Sequence, residues 1–174
     1  MIDILRLTPT HAAQYRALML QTYADAPGAY IATVAEREHL PMEFWEARVS
    51  AEADAAEMVF GALDGDRLVG AAGLRLQRRP RTRHKGWLFG MTVVPECRGQ
   101  GVGRGLVEAV LGQARSTPGL RVVQLSVAEP NTAAIGLYES CGFVAFGTEP
   151  FAFKAGEEFV ADVHMWCDVG GSAL

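Results

Sequence analysis

The sequence predicts a single domain of the mixed α/β class, and three observations lead to this prediction. The chain has 174 residues, a length that suits one domain with its own hydrophobic core. Short apolar runs of strand length alternate with segments in which apolar residues recur at helical spacing. The sequence contains no internal repeat and no segment with the composition of a domain linker. We therefore assign residues 1–168 to one domain and expect residues 169–174 to form a frayed tail.

Composition excludes several classes of function. The net charge of -4 gives no general attraction to nucleic acid. No apolar run approaches the roughly 20 residues of a membrane span, and the N-terminus lacks the order of a signal peptide. The three cysteines, Cys97, Cys141 and Cys167, form no C-x-x-C pair, so neither a metal site nor a disulfide framework is expected. These features predict a cytoplasmic protein without metal, and without a nucleic acid or a membrane as its partner.

The first half of the chain alternates between strand and helix signals. Residues 2–7 predict a strand, and a helix-start signal follows at Thr8. A long connection, residues 25–40, leads to a second helix whose Phe44 and Trp45 we assign to core packing.

A predicted β-hairpin follows, with strands at 58–63 and 67–76. Gly70 and Gly73 are candidate bulge positions in its second strand. The basic loop, residues 78–85, comes next in this acidic protein. It is either an anion site or a solvated loop.

The centre of the chain predicts a strand, a glycine-rich turn and a helix in succession. The apolar run 87–94 is ended by Pro95, which has no amide to donate to a sheet. The first turn of a helix carries unpaired amides, and glycines let an anion approach them, so this segment suits a phosphate or pyrophosphate. Arg98 and Arg104 add positive charge at its rim. The glycines occupy alternate positions: Gly99, Gly101, Gly103 and Gly105.

This turn does not follow the nucleotide-binding patterns. In the dinucleotide fingerprint G-x-G-x-x-G, the third glycine would fall on Arg104 or Leu106, and no Gly-Lys-Ser/Thr of a P-loop is present. A nucleotide-dependent oxidoreductase is therefore a remote alternative. The segment Arg98-Gly-Gln-Gly-Val-Gly103 instead resembles the Arg/Gln-x-x-Gly-x-Gly/Ala signature of the GCN5-related N-acetyltransferase (GNAT) family.

A second motif strengthens the resemblance. Asn131, Ala134 and Tyr138 are spaced i, i+3, i+7 and share one helical face, with the first and last about 10 Å apart. Followed by Gly142 and Phe143, they are similar to the family pattern Asn-x-x-Ala-x-x-x-Tyr-x-x-x-Gly-Phe. Without the resemblance, Asn131 is a helix cap and Tyr138 a packing residue.

The remaining segments complete the predicted sheet. They are a strand at 122–127, a strand at 143–146, an irregular connection at 149–158 and a last strand at 159–167.

The resemblance implies a fold and a cofactor. The fold is a twisted mixed sheet of about six to seven strands flanked by about four helices. In it the central strand and its neighbour splay apart to admit acetyl-CoA. The residues expected to bind acetyl-CoA are Met91, Val93, Arg98, Gly99, Gln100, Gly101, Val102, Gly103, Arg104, Asn131, Ala134 and Tyr138.

The implied activity is direct transfer of an acetyl group to a primary amine of a small molecule or a protein. Tyr138 is the expected acid for the departing thiolate. The general base is open between Glu149, Asp162, His164 and water, since Trp87 stands where many relatives have a glutamate. The implied partners are then acetyl-CoA and an amine acceptor. A homodimer is also expected, because members of the family are often dimers. The alternative is an acyl-CoA sensor without turnover.

Overall fold

One mixed sheet organises the protein. The computed structural model describes residues 1–170, and within them seven strands form a single sheet in the order β1-β2-β3-β4-β5-β7-β6. This architecture confirms the predicted fold class. Five α-helices accompany the sheet, one more than expected, because the connection 25–40 contains a short helix. In chain order the elements are β1 (Ile2–Arg6), α1 (Ala12–Asp25), α2 (Val34–Arg37), α3 (Met42–Arg48), β2 (Glu57–Asp64), β3 (Arg67–Leu76), β4 (Lys85–Val93), α4 (Val102–Ser116), β5 (Val122–Ala128), α5 (Thr132–Ser140), β6 (Val144–Ala155) and β7 (Glu158–Asp168).

Strands β2, β3 and β4 bury both faces of the sheet against helices. On one face α4 presents an apolar stripe at helical spacing, and Leu106 and Val110 within it are fully buried. On the other face α1 and α3 cover β2 and β3, and Trp45 packs its ring edge against Tyr15 at 5.9 Å between centroids. Trp45 is 1% exposed, as a core residue should be, whereas Phe44 is half-buried.

Strands β4 and β5 pair only at their beginnings. Their parallel ladder joins Lys85, Gly86 and Trp87 to residues 122–124, and β5 then continues its pairing with β7 alone. The predicted splay of the central strand is therefore present. It leaves one edge of β4, from residue 88 onward, free of ladder partners among the described strands.

A bulge in β4 accompanies the splay. The register jumps from Ala71 opposite Thr92 to Gly73 opposite Phe89, so the extra residue lies on β4, where Gly90 has φ +61°. The prediction of a bulge at Gly73 itself was wrong. Gly73 is needed for space, because a Cβ there would overlap the Phe89 ring.

The prediction of an irregular connection at residues 149–158 was wrong. Strand β6 runs through Ala155 and turns at Gly156 directly into β7. The full length of β6 could not be recognised in the sequence because β6 is an edge strand that carries a proline. Edge strands tolerate both proline and polar residues. The pairing breaks between Glu149 and Phe153, and Phe151, inside that break, has φ +55°.

The end of the described chain is tied to the sheet. The amides of Val169 and Gly170 donate to the Arg121 carbonyl at 2.9 and 3.2 Å, and Val169 is buried. The rest of the predicted tail, residues 171–174, lies outside the described residues.

Two features are absent from residues 1–170. None of their helices combines the length and the apolar character needed to cross a bilayer. The same residues contain no group of three or more His, Cys, Asp or Glu side chains placed to hold a metal ion. The three cysteines are free thiols.

Candidate active site

The N-terminus of α4 forms an open cradle of amides. Gly99 and Gly101 have φ +72° and +82°, and a Cβ on either would meet no atom within 4 Å. The Gly105 amide donates to the Gly101 carbonyl at 3.0 Å and is the first to close the helix. The amides of residues 102–104 therefore have no acceptor in the described chain, and they point along the positive end of the helix dipole. Such a group can bind a phosphate or pyrophosphate.

The polar side chains of this segment hold the loop in place. Arg98 Nε donates to the Val93 carbonyl at 2.9 Å, and Gln100 Nε2 donates to the Glu96 carbonyl at 2.9 Å. Arg104 lies 3.6 Å from Glu108 on the surface of α4. The backbone amides are consequently the main hydrogen-bond donors that the cradle offers to an anion.

A cleft opens where β4 and β5 diverge. A cavity of about 120 Å³ lies there between the two strands, α5 and the connection 25–40. The predicted residues Met91, Asn131, Ala134 and Tyr138 all line it. The cavity continues into a larger one of about 290 Å³, which we call the acceptor cleft, and the two share Tyr30 and the segment 88–90 among their walls.

Tyr138 presents a hydroxyl that no described residue engages. The side chain is 5% exposed, packs edge-on against Phe143 at 5.8 Å and lines the smaller cavity. Burial raises the pKa of Tyr138 well above its usual range, so the phenol stays protonated at physiological pH. A protonated, unengaged hydroxyl can act as a proton donor inside the cavity.

Asn131 caps α5. Its side-chain oxygen accepts from the Ala134 amide at 3.2 Å, as the sequence favoured, and the residue also lines the cavity. Its side-chain NH₂ remains available for another acceptor.

Tyr30, which the sequence analysis did not identify as a site residue, is hydrogen-bonded to β4 beside its free edge. Tyr30 donates its hydroxyl to the Met91 carbonyl at 2.7 Å and lines both cavities. In the sequence Tyr30 is an isolated aromatic residue of a long connection, and no local signal marks it. Each carbonyl oxygen has two lone pairs, so those of Met91 and Val93 can still accept a second hydrogen bond.

Only one of the three candidate bases reaches the acceptor cleft. Asp162 is 5% exposed and lines it together with Ser126. Burial raises the pKa of Asp162, and the Ser126 hydroxyl opposes this in part. Glu149 and His164 instead bind each other at 2.9 Å, and neither lines either cavity.

The acceptor cleft is rich in aromatic and arginine side chains. Tyr23, Trp87 and Phe153 contribute aromatic surface. Arg37, Arg48 and Arg75 contribute guanidinium groups from three different elements, which sequence reasoning did not connect.

The basic loop 78–85 lies far from the cradle. It ends at Lys85, the first residue of β4, whereas the cradle follows the last residue of that strand. The 9 residues of β4 correspond to about 30 Å of strand. Arg78 donates to the Asp54 carbonyl, and the loop borders residues 117–120 beyond the far end of α4. A solvated loop agrees better with this location than a cofactor contact.

Comparison with known proteins identifies the family. Residues 16–143 match the acetyltransferase (GNAT) family. Over 127 residues the chain is 32% identical to a mycothiol acetyltransferase of Salinispora tropica, a match that spans 73% of this chain but only 39% of that longer protein. The fold matches a GNAT-family acetyltransferase from Streptococcus pneumoniae with a TM-score of 0.87 and 24% identity, over 98% of this chain and 100% of that one. A protein of Salmonella typhimurium, solved with its cofactor acetyl-CoA, matches over 100% of this chain and 97% of its own with a TM-score of 0.78 and 19% identity. The family match covers most of the chain and includes both motifs, and the chain therefore belongs to the GNAT acetyltransferase family.

Proposed function

We propose that this protein is an N-acetyltransferase that moves an acetyl group from acetyl-CoA to a primary amine of a small molecule or a protein. The observation that carries the proposal is the path from the free amides of α4, along the unpaired edge of β4, to the unengaged hydroxyl of Tyr138. A relative of the same fold was solved with acetyl-CoA, which supports the same cofactor here.

The open cradle fits the cofactor. The space in front of Gly99 and Gly101 admits a pyrophosphate, which the amides of residues 102–104 would hold. The backbone of Met91 and Val93 would pair with the pantetheine arm, with Asn131 and Ala134 on the facing helix. Acetyl-CoA supplies an acetyl group activated as a thioester.

Two residues of the chain handle protons. Asp162 accepts a proton from the acceptor amine, and its raised pKa makes it a stronger base than an exposed aspartate. Tyr138 holds a proton at its phenolic oxygen for the departing thiolate. A thiolate in the same buried cavity also has a raised thiol pKa, which offsets the weaker acidity of the buried phenol.

The test is release of free thiol from acetyl-CoA in the presence of an amine library, with the acetylated product identified by mass spectrometry. We expect thiol release that depends on the amine. Binding of acetyl-CoA without turnover of any amine would favour the sensor alternative. Thiol release without an amine would indicate a hydrolase.

The setting and the assembly of the protein are part of the proposal. Three free thiols support a reducing, cytoplasmic setting. A homodimer is supported by the exposed apolar side chains of Val144, Phe146 and Trp166 on the last two strands. Light scattering at micromolar concentration would test it, and a monomeric mass would rule it out.

A further inference from the structure

Guanidinium and phenyl groups alternate along one wall of the acceptor cleft, which all of them except Phe44 line directly. Arg37 lies over Phe44 at 5.1 Å, and Arg48 lies over the same ring at 4.8 Å. Arg48 also lies over Phe89 at 5.3 Å, and Arg75 lies over Phe89 at 4.8 Å. We call these five residues the arginine wall. They come from α2, α3, β3 and β4, so the tertiary fold brings them together, apart from Phe44 and Arg48, which are neighbours at i and i+4 on α3.

Arg48 is more enclosed than Arg75 within the arginine wall. Its side chain is 16% exposed, and its closest carboxylate oxygen, Glu57 Oε2, is 3.9 Å away, beyond hydrogen-bond distance. The flanking phenyl rings occupy positions on which a guanidinium packs well. The Tyr15 hydroxyl takes up part of the hydrogen-bonding capacity of Arg48, and the guanidinium still lines the cleft with only one distant carboxylate near it. An enclosed guanidinium with incomplete charge pairing is suited to bind an anionic group of a ligand.

The carboxylates around the arginine wall do not neutralise it. Glu57 accepts from Arg75 Nε at 2.6 Å and must serve Arg48 as well. Glu36 also borders the cleft, but its carboxylate accepts from the amide and hydroxyl of Thr33 at 2.8 and 2.9 Å. Those bonds lower the pKa of Glu36 and hold its side chain in the capping box that Thr33 begins at the N-terminus of α2. Arg37 makes no ion pair with any described carboxylate, which leaves positive charge facing the cleft.

Asp162 faces the same cleft from the other side. The arginine wall is built on β3, β4 and the helices above them, while Asp162 lies on β7, beyond β5. Two strand spacings, about 10 Å, separate β4 from β7 before their divergence is added. An amine near Asp162 and an anion near Arg48 can thus belong to one extended molecule.

We propose that the acceptor is an amine that carries an oxyanion, a carboxylate or a phosphate, which Arg48 and Arg37 bind while the amino group faces Asp162. The proposal rests on the proposed acetyltransferase function and names its substrate class. Guanidinium groups bind carboxylates and phosphates through paired hydrogen bonds, and a cationic polyamine would be repelled by the same wall.

The experiment compares matched amines. Straight-chain ω-amino acids of increasing length are paired with their primary carboxamides, and phosphoethanolamine is paired with ethanolamine. We expect kcat/KM to favour the anionic member of the best pair by about 10- to 100-fold, the range for a charge-assisted bond. Because about 10 Å separates the two sides of the cleft, longer amino acids should exceed the shortest.

Variants assign the preference to the arginine wall. In Arg48→Gln the ratio of kcat/KM between acid and carboxamide should fall to about 1, and in Arg48→Lys it should be intermediate, because lysine keeps the charge and loses the planar pair of donors. Arg37→Gln should reduce the ratio as well and replaces Arg48→Gln if that variant does not fold. Arg81→Gln, at an exposed position of the basic loop that lines neither the acceptor cleft nor the cavity shared by Arg48 and Phe44, is the matched control and should keep the wild-type ratio.

The outcomes separate this proposal from the function on which it rests. Amine-dependent acetylation with equal use of acids and carboxamides, or with a preference for diamines, would overturn the proposal and leave the function standing. A preference for acids that survives in both Arg48→Gln and Arg37→Gln would also overturn it. Failure of every amine to release thiol would count against the acetyltransferase function itself.

Discussion

Replacing Tyr138 by phenylalanine tests the assignment of the acid. The substitution keeps the ring and its contact with Phe143 and removes only the hydroxyl. General acid catalysis of this kind contributes about 10²- to 10⁴-fold in rate. This range corresponds to about 2.7–5.4 kcal/mol of transition-state stabilisation. We expect the chemical step to slow by that factor and the affinity for acetyl-CoA to change little.

The structure also predicts what the substitution does to stability. No described residue bonds to the Tyr138 hydroxyl, so Tyr138→Phe leaves no partner unsatisfied and should shift Tm by less than about 1 °C. Tyr30→Phe is the matched control, since it removes a bond to the Met91 carbonyl in the same cavity. It should cost about 1 kcal/mol, or about 2–4 °C in Tm, and less than about tenfold in rate.

The assay is single-turnover thiol release with an accepted amine, because slow product release would hide part of the effect in steady-state rates. A Tyr138→Phe protein whose single-turnover rate equals that of the wild type would remove Tyr138 from the chemistry and leave solvent as the acid. A loss of rate accompanied by an equal loss of stability would instead indicate a packing role.

Three further predictions follow from the same geometry. Gly101 and Gly119 have φ +82° and +77°, and both have open space around them. Replacing either residue by valine should therefore strain the backbone by about 1–2 kcal/mol. Only Gly101→Val should also weaken the binding of acetyl-CoA, by more than tenfold as measured by calorimetry. Asp162 has a raised folded pKa, so its contribution to the free energy of unfolding is present below about pH 3.9 and is lost as pH rises through the folded value. Asp162→Asn should abolish this loss of stability with rising pH, as measured by denaturation at several pH values, and should be at least as stable as the wild type at pH 7. The variant should also lose acetyl transfer. Retained activity would indicate that water, and not Asp162, is the general base. Neutralising three arginines of the basic loop 78–85 should change acetyl-CoA affinity less than about threefold at 0.15 M salt, since screening acts over about 8 Å, and an effect that persists at high salt would indicate a direct contact.

The geometry of the half of the candidate site around the glycine turn and α5 could be predicted from the sequence because that half is local. The strand, the glycine turn and the first turn of α4 are consecutive, so the pattern around Gly101 specifies their geometry directly. Asn131 and Tyr138 share one short helix, and helical spacing is sufficient to bring them to one face. Within the described residues they line the same cavity, as expected.

The acceptor half was not predictable in the same way because it is assembled from distant segments. Arg48 and Phe89 are 41 positions apart in the chain, and only the packing of α3 against the sheet joins them. Tyr30 reaches Met91 from a connection without a helical or strand pattern. Asp162 and His164 share one side of β7, so the choice between them depended on their positions along the strand and on the true path of β6, whose Glu149 binds His164.

The bulge in β4 couples the two halves of the site. An extra residue reverses which side of the strand the following side chains face, and here it also accompanies the departure of β4 from β5. Gly90 at φ +61° supplies a conformation that other residues reach only with strain. On one side of this point Phe89 lies over Gly73, between Arg48 and Arg75, and on the other side Met91 turns its carbonyl to Tyr30. A single inserted residue therefore aligns the arginine wall with the edge on which the cofactor would lie, so a side chain at Gly90 should impair acceptor selection and cofactor binding together.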